Sequence, residues 1–206
     1  MDAMTQHDRR FDPKHRAGLT GDERRARWNP PRLLALTGLR EGQTALDLGC
    51  GPGFWTLPIA DIVGASATVH ALDVSEEMLA ALIEQDPPLN VRPVQAELPS
   101  IPLPDASVDF IWAAFVFHEV EPPVALSIEM RRVLRPGGRI AILDWRPDAK
   151  GESGPPRRHR FSPQQVEEFL QAAGFDHVQH AWQDEDAYLL HVDKTIDSQG
   201  MNDETQ

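Results

Sequence analysis

Apolar residues along this chain form short continuous runs that alternate with segments of helical periodicity. The runs rich in Val, Ile, Leu and Ala, with one run that contains a proline, predict strands at 44–48, 67–73, 91–94, 108–116 and 139–144. The segments that follow the first, second and fourth of these strands carry apolar residues at helical spacing and predict helices. Because strands that alternate with helices build a doubly wound, mostly parallel sheet, we expect an α/β fold.

The last third of the chain predicts a helix and two more strands. Ser162 followed by Pro163 is a helix start, and the helix would end before Gly174. Strands at 175–182 and 187–192, joined by an acidic turn, would form a hairpin. Residues 146–161 are rich in Pro, Gly and Arg and predict a long loop of the kind that often forms a functional lid.

Length and composition indicate one folded domain. The chain has 206 residues and is 41% hydrophobic, which suits a single substantial domain. We expect that domain to span 28–192. Residues 1–27 predict an N-terminal lid or a partly disordered segment, and 193–206 predict a disordered tail.

The charge and the cysteine content exclude several classes of function. Twenty basic and 32 acidic residues give a net charge of −12, which argues against a nucleic-acid partner. The single cysteine and the scattered histidines predict neither a disulfide framework nor a metal site. No run of 18 apolar residues occurs and the N-terminus is polar, so we expect a soluble cytoplasmic monomer or homodimer without a membrane partner.

A glycine-rich turn follows the first strand and carries the candidate chemistry. Gly49, Gly51 and Gly53 alternate with other residues, and Phe54 stands where a dinucleotide fingerprint would have its third glycine. Asp47 precedes the turn, and its carboxylate would repel a pyrophosphate but attract a cationic amino-acid group. The pattern therefore favours S-adenosylmethionine (SAM) over a nicotinamide dinucleotide.

The sequence resembles the class I SAM-dependent methyltransferases, in particular the branch that includes the ubiquinone/menaquinone C-methyltransferases. The resemblance covers roughly 28–192 and depends on motifs at 46–53, 71–75, 96–105, 108–111 and 134–138. It implies a Rossmann-like, doubly wound sheet of seven mostly parallel strands with an antiparallel closing strand, and SAM as the cofactor. The cofactor-binding residues that it implies are Asp47, Gly49, Cys50, Gly51, Gly53, Asp73, Val74, Met78, Gln95, Ala96, Glu97, Ala114 and Phe115.

Individual positions within that set have distinct expected roles. Asp73 ends the second strand, where an acid can accept hydrogen bonds from two ribose hydroxyls of either SAM or NAD. Gln95 departs from the family, which usually has an acid there; its amide oxygen can still accept a hydrogen bond from adenine, without charge assistance. Cys50 lies between two glycines and is interpreted as a small residue that fits the turn.

The candidate catalytic residues are His118 and Glu119, directly after the fourth strand. Ligands of such sheets bind at the carboxyl ends of the strands, so His118 could act as a general base and Glu119 could orient its ring or raise its pKa. The alternative is that His118 only packs beside the cofactor. Candidate substrate-binding residues are Phe11, Trp28, His118, Asp144 and Arg157.

We expect a methyltransferase that acts on a small molecule, because the chain has no room for an extra substrate domain. Methyl transfer needs alignment above all, and it needs a base only if the acceptor must lose a proton. Three alternatives stay open: a SAM-binding regulatory or partner protein without turnover, a nicotinamide-dependent oxidoreductase, and a protein or RNA methyltransferase, which the acidic charge disfavours.

Overall fold

The computed structural model describes residues 18–151 and 153–196 and contains one seven-stranded sheet with helices on both faces. The strands are β1 Ala45–Leu48, β2 Val69–Asp73, β3 Val91–Gln95, β4 Val108–Ala114, β5 Leu134–Trp145, β6 Gln179–Gln183 and β7 Ala187–Asp193. The helices are α1 Asp22–Trp28, α2 Pro30–Ala35, α3 Thr56–Val63, α4 Glu76–Ile83, α5 Pro123–Val133 and α6 Pro163–Ala172. Short 3₁₀ turns also lie at Phe117–Glu119 and Arg157–His159.

The sheet has the strand order β3-β2-β1-β4-β5-β7-β6. The pairs among β1 to β5 are parallel, and β7 is antiparallel to both β5 and β6. This arrangement confirms the predicted Rossmann-like fold with its antiparallel closing strand. The chain changes direction between β1 and β4, so a crevice opens beyond the carboxyl ends of these two central strands.

The central strands are buried because helices cover both faces of the sheet. All four residues of β1 and nearly all of β4 are buried, as the continuous apolar runs predicted. Two hydrophobic clusters lie on opposite faces, one around Trp112 and the other around Phe117. β3 lies at the edge of the sheet, where Pro93 is tolerated because one side of the strand has no neighbour.

Several element boundaries differ from the sequence prediction. β5 begins at Leu134, ahead of the predicted start at 139, because Leu134 pairs with Val108 before a register shift in the pairing of β4 and β5. β7 ends at Asp193, whose carboxylate accepts two hydrogen bonds from Arg139, so the ordered chain passes the predicted start of the tail. Residues 1–17 and 197–206, including Phe11, lie outside the described residues.

In the part of the chain that the structure describes, no helix is both long enough and apolar enough to span a bilayer.

Candidate active site

Gly51 exposes its backbone to the crevice, while its two neighbouring glycines serve packing. All three residues have positive φ, +65° at Gly49, +52° at Gly51 and +94° at Gly53. A Cβ at Gly49 would lie 2.7 Å from Val116, and one at Gly53 would lie 2.5 Å from Leu82. A Cβ at Gly51 would meet nothing closer than 3.8 Å. The turn therefore needs three glycines, but only Gly51 presents open space to a ligand.

Asp73 links the turn to the end of β2. Its Oδ2 accepts a hydrogen bond from the Gly51 N–H at 2.8 Å, and its Oδ1 accepts one from the Ser75 N–H at 2.9 Å. Burial raises the pKa of Asp73, and these backbone donors oppose that rise. Because a carboxylate oxygen has more than one lone pair, both oxygens can still accept ribose hydroxyls.

Asp47 lies beneath the turn and is almost completely buried. Its Oδ2 accepts a hydrogen bond from Thr56 Oγ1 at 2.7 Å, while its Oδ1 has no partner within the described residues. Burial raises the pKa of Asp47 to about 7, and the charge of Asp73 adds to the rise. An orphaned carboxylate oxygen in a buried position calls for a donor or a positive charge from a ligand.

A cavity of about 1430 Å³ opens between α1, the glycine turn and the ends of β2, β4 and β5. Its volume exceeds the range typical of a single small-molecule site, so it can hold two ligands side by side. The structure brings to it most of the predicted site residues, namely Trp28, Gly49, Cys50, Gly51, Asp73, Val74, Met78, Ala114, Phe115, His118 and Glu119. Ala96 lines a smaller adjoining pocket with Leu98 and Val120.

Six predicted residues in the described part of the chain do not line these cavities: Asp47, Gly53, Gln95, Glu97, Asp144 and Arg157. Gly53 packs against α4, and Gln95 and Glu97 are exposed, with Gln95 Nε2 donating to the Val74 carbonyl at 3.4 Å. Arg157 is exposed on its 3₁₀ turn, which directs His159 toward the cavity instead. Asp47 lies below the turn, as described above.

His118 is held by Asp144 at the carboxyl end of β4. Asp144 Oδ1 lies 2.7 Å from His118 Nδ1, and Asp144 Oδ2 accepts a hydrogen bond from the His118 backbone N–H at 3.1 Å. Both side chains are buried, so Asp144 lies behind the histidine and not against a substrate. Glu119 Oε1 lies 4.0 Å from Nε2. Burial opposes protonation, but the Asp144 carboxylate, and to a lesser extent Glu119, raise the pKa of His118 above its ordinary value.

An aromatic cluster forms one wall of the cavity. Trp28 of α1 packs against Phe115 with ring centroids 4.7 Å apart, and Trp145 packs against both rings. Phe115 has a φ of +59°, an uncommon conformation for a large side chain that is fixed by a 2.7 Å hydrogen bond from its N–H to the Leu143 carbonyl. These rings suit an apolar or aromatic ligand.

Sequence reasoning missed three basic residues at the cavity, Arg24, Arg27 and His159. Arg24 precedes Trp28 by four residues and so shares its face of α1, which is a spacing that could have identified it. His159 is the single buried residue of its 3₁₀ turn, and no pattern in the surrounding polar loop distinguishes it.

Comparison with known proteins identifies the family. A family model described as a methyltransferase domain matches residues 46–142. A crystal structure of a SAM-dependent methyltransferase from Aquifex aeolicus is 33% identical with a TM-score of 0.81, over 89% of this chain and 99% of that one. The chain belongs to the class I SAM-dependent methyltransferases.

Other relatives match less of this chain or at lower identity. A demethylmenaquinone methyltransferase from Staphylococcus aureus is 34% identical over 114 residues, 55% of this chain and 47% of that protein. The matched region thus spans about half the length of that curated relative. The crystal structure of the [4+2]-cyclase SpnF is 20% identical with a TM-score of 0.67, over 82% of this chain and 80% of that one. That last likeness concerns the fold alone.

The residues present fit SAM, the cofactor of the family. Gly51 offers open space beside its backbone, and the orphaned Asp47 Oδ1 lies below the same turn. Asp73 ends β2 where ribose hydroxyls would be held. Since the solved relative with 33% identity is a SAM-dependent methyltransferase, and the Asp47 carboxylate lies below the turn that would hold the pyrophosphate of a dinucleotide, the nicotinamide reading is set aside.

Proposed function

We propose that this protein transfers a methyl group from SAM to a small-molecule acceptor, with His118 as general base. The observation that supports the proposal is the shared cavity: His118, held by Asp144, lines the same space as Gly51 and Asp73. A cofactor held by Gly51 and Asp73 would therefore share one cavity with His118.

SAM, when bound, supplies an electrophilic methyl group and a good leaving group. Gly51 and Asp73 orient the cofactor, and Met78 and Val74 cover its apolar surface. His118 takes a proton from the acceptor at Nε2, because Asp144 at Nδ1 favours the tautomer with the proton on Nδ1. Asp144 is therefore a positioning residue that acts through His118.

The aromatic wall favours a flat, largely apolar acceptor. Trp28, Phe115 and Trp145 would pack against its rings, which adds apolar contact to the alignment that methyl transfer requires. The relatives named demethylmenaquinone methyltransferases make a demethylated quinol the first acceptor to test.

The proposal is tested with methyl-labelled SAM and a panel of small acceptors that begins with demethylated quinols. We expect labelled product from the wild-type protein, and turnover reduced by about 10²–10⁴-fold in His118→Ala with S-adenosylhomocysteine binding retained. Full turnover by His118→Ala would remove His118 from the mechanism.

A SAM-binding protein without turnover is the second candidate. It is favoured by Gln95, whose exposed amide offers adenine no charged acceptor. Tight binding of S-adenosylhomocysteine without labelled product from any acceptor would support this candidate.

A further inference from the structure

Arg24 is a cation at the cavity with no counterion in the described part of the chain. Its guanidinium lies 5.0 Å from the ring centroid of Phe54 and 5.6 Å from that of Phe115. Its Nε is buried and has no hydrogen-bond partner there. Arg27 on the same helix is different, because it pairs with Asp184 at 2.6 Å and with Asp186 at 3.2 Å.

Burial makes the unpaired charge of Arg24 costly. Burial alone lowers the pKa of Arg24 to about 10, with no contribution from a neighbouring carboxylate. The group therefore stays protonated at neutral pH. A partly desolvated charge without a partner is unfavourable, and a bound anion would relieve that cost.

The position of Arg24 restricts what the anion can be. The side chain lies between Phe54, which follows the glycine turn, and Phe115, which follows β4. It therefore borders both the region expected for the amino-acid part of the cofactor and the aromatic wall expected for the acceptor. The planar fork of a guanidinium matches the two oxygens of a carboxylate.

We propose that Arg24 is the carboxylate-binding residue of this cavity. The inference rests on the proposed function, because the carboxylate belongs either to the amino-acid part of the cofactor or to an acidic acceptor. Aromatic contacts from Phe54 and Phe115 hold the guanidinium in place and leave its N–H groups for the ligand.

Calorimetry on Arg24→Met and Arg24→Lys tests the proposal, with Arg25→Met as the matched control. Arg25 is exposed on the same helix, 5.7 Å from the Phe54 ring, and does not line the cavity. One arm titrates S-adenosylhomocysteine and 5′-methylthioadenosine, which lacks the amino-acid carboxylate. The other arm titrates benzoate and its neutral analogue benzamide, with and without S-adenosylhomocysteine.

Each source of the carboxylate gives its own result. If the cofactor supplies the carboxylate, Arg24→Met weakens the binding of S-adenosylhomocysteine roughly ten- to a hundredfold and leaves the binding of 5′-methylthioadenosine unchanged. If the acceptor supplies it, benzoate binds the wild type better than benzamide does, and Arg24→Met removes that preference while S-adenosylhomocysteine is unaffected. In both cases Arg24→Lys restores part of the loss and Arg25→Met binds as the wild type does.

Two results would overturn the assignment. In the first, Arg24→Met binds all four ligands as tightly as the wild type does. In the second, Arg24→Met loses affinity equally for the charged and the uncharged ligands, which indicates a structural role. Failure of the wild type to bind S-adenosylhomocysteine would instead count against the proposed function. In that case the comparison of benzoate with benzamide would still test whether Arg24 binds a carboxylate.

Discussion

At the scale of single residues, the pair of His118 and Asp144 determines the proposed chemistry. Asp144 is buried, and its two carboxylate oxygens contact the ring Nδ1 and the backbone N–H of His118, so it sets both the orientation and the basicity of the ring. The sequence placed both residues at the carboxyl edge of the sheet, but it assigned Asp144 to the substrate. Strand order alone brings residues to one edge, whereas side-chain packing decides which of them reaches the ligand.

This pairing predicts a shift in the pH profile of methyl transfer. Asp144 raises the pKa of His118, and a base must be neutral to work, so activity rises with pH through that raised pKa. Asp144→Asn removes the carboxylate, so the ascending limb of kcat should move to lower pH while the maximal rate falls about tenfold or more. The measurement is the pH–rate profile of labelled methyl transfer.

Asp148→Asn is the control, because Asp148 is an exposed carboxylate just beyond β5 that pairs with Arg146. It should leave the profile unchanged. If the ascending limb of the pH–rate profile stays at the same pH in Asp144→Asn, the coupling between Asp144 and His118 is refuted.

At the scale of elements, the glycine turn is fixed by packing as much as by ligand binding. The sequence predicted the turn and the strands on either side, because those features depend on local patterns of Gly and apolar residues. It left residues 1–27 open between a lid and a disordered segment, and α1 Asp22–Trp28 owes its place to the packing of Trp28 against Phe115, a contact distant in sequence. A contact between residues that are distant in sequence produces no local periodicity from which it could be predicted.

The packing of the turn predicts unequal costs for two glycine substitutions. Gly53→Ala forces a Cβ against the buried Leu82 at 2.5 Å, in addition to the strain of a φ of +94°. Gly42→Ala carries similar strain at +83° but meets nothing within 4 Å. We expect Gly42→Ala to cost about 1–2 kcal/mol of unfolding free energy and Gly53→Ala to cost about 1–3 kcal/mol more, measured by urea denaturation. Equal costs would show that the α4 contact is unimportant.

At the scale of the whole molecule, the strand order explains how separate motifs form one site. The order β3-β2-β1-β4 sets the ends of β1, β2 and β4 side by side, so Gly51, Asp73 and His118 share a cavity although they are far apart in sequence. The resemblance to a family supplied this topology, and many of the residues it implied near the ends of β1, β2 and β4 line the cavity. Arg157 was placed at the substrate and is exposed, since the loop that carries it has no regular periodicity to orient its side chains.

The most direct test of the account is calorimetric titration of the protein with SAM, S-adenosylhomocysteine and NAD. We predict that both adenosyl ligands bind and NAD does not. Asp73→Ala should weaken the binding of the adenosyl ligands at least about tenfold, because it removes the carboxylate that would accept hydrogen bonds from the ribose hydroxyls. Glu76→Ala, in the exposed first turn of α4, should leave their binding unchanged. Binding of NAD without either adenosyl ligand would contradict the account.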